Sequence, residues 1–209
     1  MNRTYHYGSA SVAVALMLAG LLAWPAASIA QLSTTPTVVG DARAVQATVL
    51  GPLGTATTTV LADTGNLGGT TDARDASQLT GNIPSLLAGE VLSATAIGWP
   101  DEVDSAASLA GLNLNVAGVG ISADFVMAQA SQVLGAAGSG SSTISGLSIN
   151  GVPIGVTGNP NQTVAIPGGQ LIINEQTISS NGATVVNALH VIVNGVADVL
   201  IASATAGIS

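Results

Sequence analysis

Beyond its first thirty residues this chain carries one histidine, His190, no lysine and no cysteine, so its means of moving a proton are His190 and eleven acidic side chains. A histidine acts as a general base or metal ligand only when a ring nitrogen is free and a second group orients the ring. The nearest candidate orienter is Asp198, across Asn194-Gly195 in the run TVVNALHVIVNGVADVL. A two-residue turn at Asn194-Gly195 would pair Val193 with Val196 and Val191 with Asp198, which sends Asp198 to the face opposite His190. The expectation is therefore a hydrogen-bonded histidine in a mostly apolar strand. Only a one-residue slip would join it to Asp198.

The carboxylates are scattered. Asp63, Asp72 and Asp75 lie in a polar stretch where carboxylates and carbonyls could hold Ca²⁺, but their spacing matches neither an EF-hand loop nor a GGxGxD repeat. They remain weak candidates against the plainer reading of a solvated acidic loop, and no metal or other cofactor is expected. Asp101, Glu102 and Asp104 beside Trp99 raise the idea of a carboxylate pair with a sugar-stacking ring. Neighbours in sequence diverge, however, and the segment reads as a charged turn with a partly buried indole. Glu175, within INEQ, reads as part of a polar rim. Serines are plentiful, but a serine nucleophile needs a base, and GSGSS at 138–142 is not a nucleophile elbow. No catalytic residue is assigned. Asn161-Gln162-Thr163 matches a glycosylation sequon.

The 209-residue chain has a net charge of −8 and a mean hydropathy of +0.57. Its start is basic at Arg3, apolar from Ser11 to Trp24, and small-residued at Ser28-Ile29-Ala30. That is the pattern of a secretory signal peptide over 1–30, cleaved after Ala30. The apolar run is shorter than the ~20 residues of a spanning helix, so no membrane span is expected after cleavage. All eleven acidic residues follow Ala30, where the only cations are Arg43 and Arg74. Such a surface repels phosphate backbones, so nucleic acid is excluded as a partner. Trp99 and Phe125 are the only aromatics left, too few for the girdles of an outer-membrane barrel. Without cysteine, the domain must be held by packing alone.

Val, Ile, Thr and Ala fill the intervals between Gly and Asn turns, which predicts an all-β domain over 42–209 after a poorly ordered lead-in at 31–41. Strands are expected at 43–50 and 55–62, a surface excursion at 63–83, and an element of undecided type at 86–97. Leu112, Leu114 and Val116 alternate with Asn113 and Asn115. Ile121, Ala123, Phe125 and Met127 are expected to share the next strand's buried face. Residues 135–142 read as a flexible connector. Asn150-Gly151 predicts a hairpin pairing Ile149 with Val152, with Pro153 at a sheet edge. Gly158–Asn161 is a second turn. Gly168-Gly169 is a third, pairing Ile166 with Leu171. The last two strands look apolar on both faces and are expected to be covered on both sides. The architecture is an antiparallel β-sandwich or a Greek-key barrel.

Two blocks, GLSINGVPIGVTGNPNQTVAIPGGQLIINEQ and VVNALHVIVNGVADVLIASATAGI, resemble the choice-of-anchor P family of bacterial exported proteins. The resemblance covers residues 146–208 and extends more weakly to AVQATVLG and TTTVLADTG. It implies an envelope or extracellular location, with an unidentified extracellular or envelope component as partner. It supplies no catalytic residue. No LPxTG-like motif, apolar tail or basic cluster precedes Ser209, which favours a released or passively retained protein. The expected role is non-enzymatic adhesion, recognition or matrix assembly. The alternatives are a polysaccharide hydrolase with a carboxylate pair and a polymerising structural subunit.

Overall fold

The structure is a computed structural model that describes residues 35–51 and 54–209. The signal-peptide reading, the cleavage point after Ala30 and the first part of the lead-in lie outside the described residues. These form thirteen strands: β1 Val38–Leu50, β2 Ala56–Asp63, β3 Ala73–Ile83, β4 Leu87–Gly98, β5 Glu102–Val116, β6 Val119–Val133, β7 Ser139–Ser145, β8 Ser148–Ile149, β9 Val152–Pro153, β10 Gln162–Ile166, β11 Gly169–Ile178, β12 Thr184–Val193 and β13 Ala197–Ile208.

All strand pairs are antiparallel. One sheet runs β10-β11-β12-β13-β1-β2, and the other runs β3-β4-β5-β6-β8-β9 with β7 also on β6. The two pack face to face as a β-sandwich. Almost every hydrogen-bonded neighbour is the next strand in sequence, so the chain meanders. The main exception is β1 against β13, which joins the first and last strands of the described residues within one sheet. The core is aliphatic. Val45, Leu92, Leu109, Leu114, Ile121, Leu171, Ile173, Leu189 and Ile201 are its largest fully buried side chains. Each transfers its apolar area out of water at ~25 cal/mol per Å².

Both sheets reverse the side-chain alternation partway along their strands. In β12 the core side is taken by Thr184 and Val186, then by Leu189, Val191 and Val193. In β13 it is Ala206 and Ala204, then Ile201 and Val199, and in β1 it is Ala42, then Val45 and Ala47. The reversal falls on one row, since the register sets Asn174, Ala188, Ala202, Ala44 and Ala62 side by side across five strands. All five are buried. Asn174, Ala202 and Ala62 take φ of 53°, 52° and 48°. Left-handed backbone costs a Cβ-bearing residue roughly 1–2 kcal/mol, and Asn or small Ala carries that burden best. The facing sheet repeats the device. In β4 the core side passes from Leu87 to Leu92 around Val91 (φ 47°), and in β5 from Leu109 to Leu112 around Gly111 (φ 57°).

This row corrects several expectations. Phe125 and Met127 do not share the buried face of Ile121 and Ala123, because Val126 and Ala128 turn inward instead. The last two strands are not covered on both sides. Their apolar look comes from the change of parity, and Asn187, His190 and Ile192 stand on the outer face. Strands also claim territory read otherwise. β3 occupies the second half of the surface excursion, β7 the second half of the expected connector, and β5 all of the charged turn except Asp101. β1 starts at Val38 within the lead-in.

The Asn150-Gly151 hairpin is as expected, with φ of 51° and 76° and Ile149 opposite Val152. Pro153 lies in the strand at the sheet's end. The third turn is instead Pro167-Gly168, which pairs Val164 with Leu171. Pro at the first central position and Gly168 at φ 77° satisfy a type II turn, which Gly168-Gly169 does not require.

Glycine also sets how closely the sheets approach. A Cβ on Gly140 of β7 would lie 2.3 Å from Val186 Cγ2 of β12. Val is stiff and cannot swing away. Gly140→Ala is therefore expected to lower unfolding free energy by about 1–3 kcal/mol in urea melts. Unchanged stability would mean that the sheets can part at no cost.

Candidate functional site

The outer face of the β1/β13 sheet holds a polar cluster built by the row of reversal. Asn187 and His190 are three apart on β12, and in an unbroken strand they would face opposite ways. The extra residue at Ala188 brings both outward. The same step on β1 sets Arg43 and Gln46 on one face, joined Nη1 to Oε1 at 2.5 Å. Glu175 of β11 lies directly across from Asn187, and Arg43 across from Ser203.

Asn187 Nδ2 donates to Glu175 Oε2 at 2.7 Å, and His190 Nδ1 lies 2.9 Å from the same oxygen. His190 Nε2 lies 3.1 Å from Asp198 Oδ1. The expected separation of His190 from Asp198 is overturned. Val193 pairs with Ala197, so the turn contains Asn194, Gly195 and Val196 rather than two residues. Tertiary bonds hold it open, because Asn194 N–H donates to the Gly168 carbonyl and Leu50 N–H donates to the Val196 carbonyl. Asp198 then stands opposite Ile192, diagonal to His190 on the same face.

His190 and Glu175 are 14% and 16% exposed at the side chain, and Asp198 is 55% exposed. Burial alone would push the His190 imidazole below its usual 6.5. The hydrogen bond and charge of Glu175, with those of Asp198, outweigh it and hold the ring above that value. The hydrogen bond from His190 lowers Glu175 against its own desolvation, and Asn187 assists. When the ring is protonated, each nitrogen can donate to a carboxylate, Nδ1 to Glu175 and Nε2 to Asp198, and the cluster then acts as a cross-strand clamp over β11, β12 and β13. Sequence reasoning separated Asp198 from His190 and read Glu175 only as part of a polar rim. The missed signal was the small-residue row, which alternation alone does not reveal.

The calcium candidates do not converge. Asp63 Oδ1 accepts from Gly65 N–H, Asp72 Oδ2 accepts from Gly68 N–H at 2.7 Å and Arg74 Nε at 2.8 Å, and Asp75 lies on β3 opposite Thr95. The Gly68 and Arg74 bonds hold the Asp72 carboxyl below its usual value. Among the described residues no three His, Asp or Glu side chains are placed to hold a metal ion.

Two concavities stand out. One is an apolar hollow of about 410 Å³ at an end of the sandwich, lined by Val49, Ile83, Leu86 and Val116. The other is a groove of about 540 Å³ on the outer face of the second sheet. Thr95, Ala106, Gln129 and Ser141 are register partners across its floor, and Ile97, Asp104, Ser131 and Ser139 form the next row. Asp104 is its one carboxylate, and burial raises its pKa. Glu102 is two residues away on the same face of β5, and Trp99, 41% exposed, donates its backbone N–H to the Glu102 carbonyl.

No family profile, curated protein or solved structure matches the chain in the three comparisons made.

The ionic clamp has a pH signature. His190 has a raised folded pKa, so its contribution is complete below about 6.5 and lost as pH rises through the folded value. Glu175 has a depressed one, so its contribution is complete above about 4.5 and lost as pH falls through the folded value. The clamp is at full strength between the two. His190→Gln is expected to cost about 1–2 kcal/mol at about pH 5.5, shrinking toward about pH 9, in paired urea titrations. A gap of equal size at both pH values would assign the loss to packing rather than charge.

Proposed function

We infer that this chain is an exported bacterial β-sandwich that works by non-enzymatic recognition at the cell surface or in the surrounding matrix, in the manner of the choice-of-anchor P proteins it resembles. The observation that carries the reading is the state of His190. Among the described residues the one histidine has each ring nitrogen within hydrogen-bond reach of a carboxylate. What the surface offers instead is a broad groove of hydroxyl and amide side chains, suited to holding a polar ligand without transforming it. The basic, apolar and small-residue succession of the first thirty residues supports export.

A second reading, hydrolysis of an extracellular polysaccharide, is favoured by one feature. Glu102 and Asp104 share a face of β5 at the two-residue spacing of about 6–7 Å, within the ~5–10 Å that carboxylate pairs use. Only Asp104 reaches the groove.

Expression of the full chain with a C-terminal tag in a bacterial host tests the leading reading. The tagged protein is expected outside the cytoplasm with Gln31 as its N-terminal residue, and it should sediment with extracellular matrix. Cytoplasmic retention of the intact chain would refute it. Release of reducing ends from matrix polysaccharide, abolished by Glu102→Gln, would favour the second reading.

A further inference from the structure

We propose that the groove over β4–β7 is a binding site for a polyhydroxylated ligand carrying a protonated amine, such as the 2-amino-2-deoxyhexose units of a deacetylated polysaccharide. The proposal rests on the recognition reading and names the class of ligand.

The groove's shape follows from the register. Thr95, Ala106, Gln129 and Ser141 align across four strands, with Ile97, Asp104, Ser131 and Ser139 in the adjoining row. Side chains on this floor are short, so the space above is open. The polar groups are hydroxyls and an amide, each both donor and acceptor, which matches the hydroxyl pattern of a sugar. Ser131 and Ser139 hydroxyls already lie 2.9 Å apart as a pair across the strands.

Asp104 sets the preferred charge. Its carboxylate is partly withdrawn from water, which raises its pKa, and among the described residues neither a donor nor a cation pairs with it. A partly desolvated carboxylate without a partner gains from a ligand ammonium brought to hydrogen-bond distance. The surroundings reinforce the sign. Glu102 follows on the same face, and Asp75 lies opposite Thr95 on the adjoining strand β3. Both described arginines are already paired, Arg43 with Asp41 and Arg74 with Asp72. An anionic sugar such as a uronate would find no cation in the groove and would meet a repulsive field. A neutral sugar would leave the carboxylate uncompensated.

Calorimetric titration of the full chain at about pH 6 with three β-1,4-linked hexamers tests this. They are fully deacetylated glucosamine, N-acetylglucosamine and glucose. The glucosamine hexamer is expected to bind at least about tenfold more tightly than the other two. Asp104→Asn should erase that preference, while Asp63→Asn, which removes a remote carboxylate of equal charge, should keep it. Asp104→Asn removes a desolvated charge, so its melting temperature at neutral pH should equal or exceed that of the parent. That melt separates lost binding from lost fold. Gln129→Ala should weaken the glucosamine hexamer several-fold with no change of charge.

Equal affinity for all three hexamers overturns the proposal, as does an Asp104→Asn variant that binds like the parent. An Asp63→Asn variant that loses binding to the same extent would show only diffuse attraction of a polycation, and also overturns it. Matrix retention without amino-sugar binding would sink this inference while leaving the recognition reading standing. Asp104-dependent binding by a protein that stays in the cytoplasm would do the reverse.

Discussion

A β-strand shows alternate residues to alternate faces, and this sandwich depends on breaking that rule at one level. The row Asn174, Ala188, Ala202, Ala44 and Ala62 adds a residue to the alternation of five neighbouring strands together. A reversal on a single strand would throw every side chain beyond it to the wrong face. Made across five of the six strands, it keeps the pairs on either side of the row in register, at the cost of local backbone strain. Small side chains are what allow it. Four of the five are alanines, and all five are buried.

The two polar surfaces depend on this arrangement in different degrees. On the β1/β13 sheet, the step at Ala188 puts Asn187 and His190 on one face, and that in turn lets Glu175 and Asp198 bracket the ring. Both ring nitrogens of His190 meet a carboxylate, while Asn187 Oδ1 and Arg43 Nε are buried without a partner among the described residues. On the other sheet, the groove lies on the far side of the reversal around Val91 and Gly111, where the alternation is regular and the floor is flat. Its single carboxylate is unmatched. One surface has spent its charge on holding strands together, and the other retains an unbalanced charge facing solvent.

Much of this was legible in the residues. The all-β class, the antiparallel pairing, the Asn150-Gly151 hairpin and the edge position of Pro153 follow from turn chemistry and period-two patterning, which are local. The β1 and β2 hairpin around Gly51 was legible for the same reason. What escaped was parity. Reading Ile121, Ala123, Phe125 and Met127 as one face assumes an unbroken strand, and nothing in the letters marks where β6 changes sides. The Asn194-Gly195 turn shows a second limit. Its local preference is a two-residue loop, but bonds to Gly168 and Leu50, remote in sequence, draw in Val196 as a third residue. That one residue decides whether Asp198 meets His190. The groove was invisible for a related reason, since Thr95, Gln129 and Ser141 come together only through the register of four strands.

The pairing of β1 with β13 has a mechanical side. Thr37 and Ser209 exchange both of their backbone bonds, at 2.8 and 3.0 Å, and the ladder then runs unbroken in direction from Val38 opposite Ile208. A load applied at these two points pulls across the strands, opening the ladder like a zip, one rung after another, rather than shearing all rungs at once. The seam lies in the middle of its sheet, so parting it would separate β10–β13 from β1 and β2. Held by one of these points alone, the sandwich bears no such load. Stretched between both, it would yield at a low force and act as an extensible link.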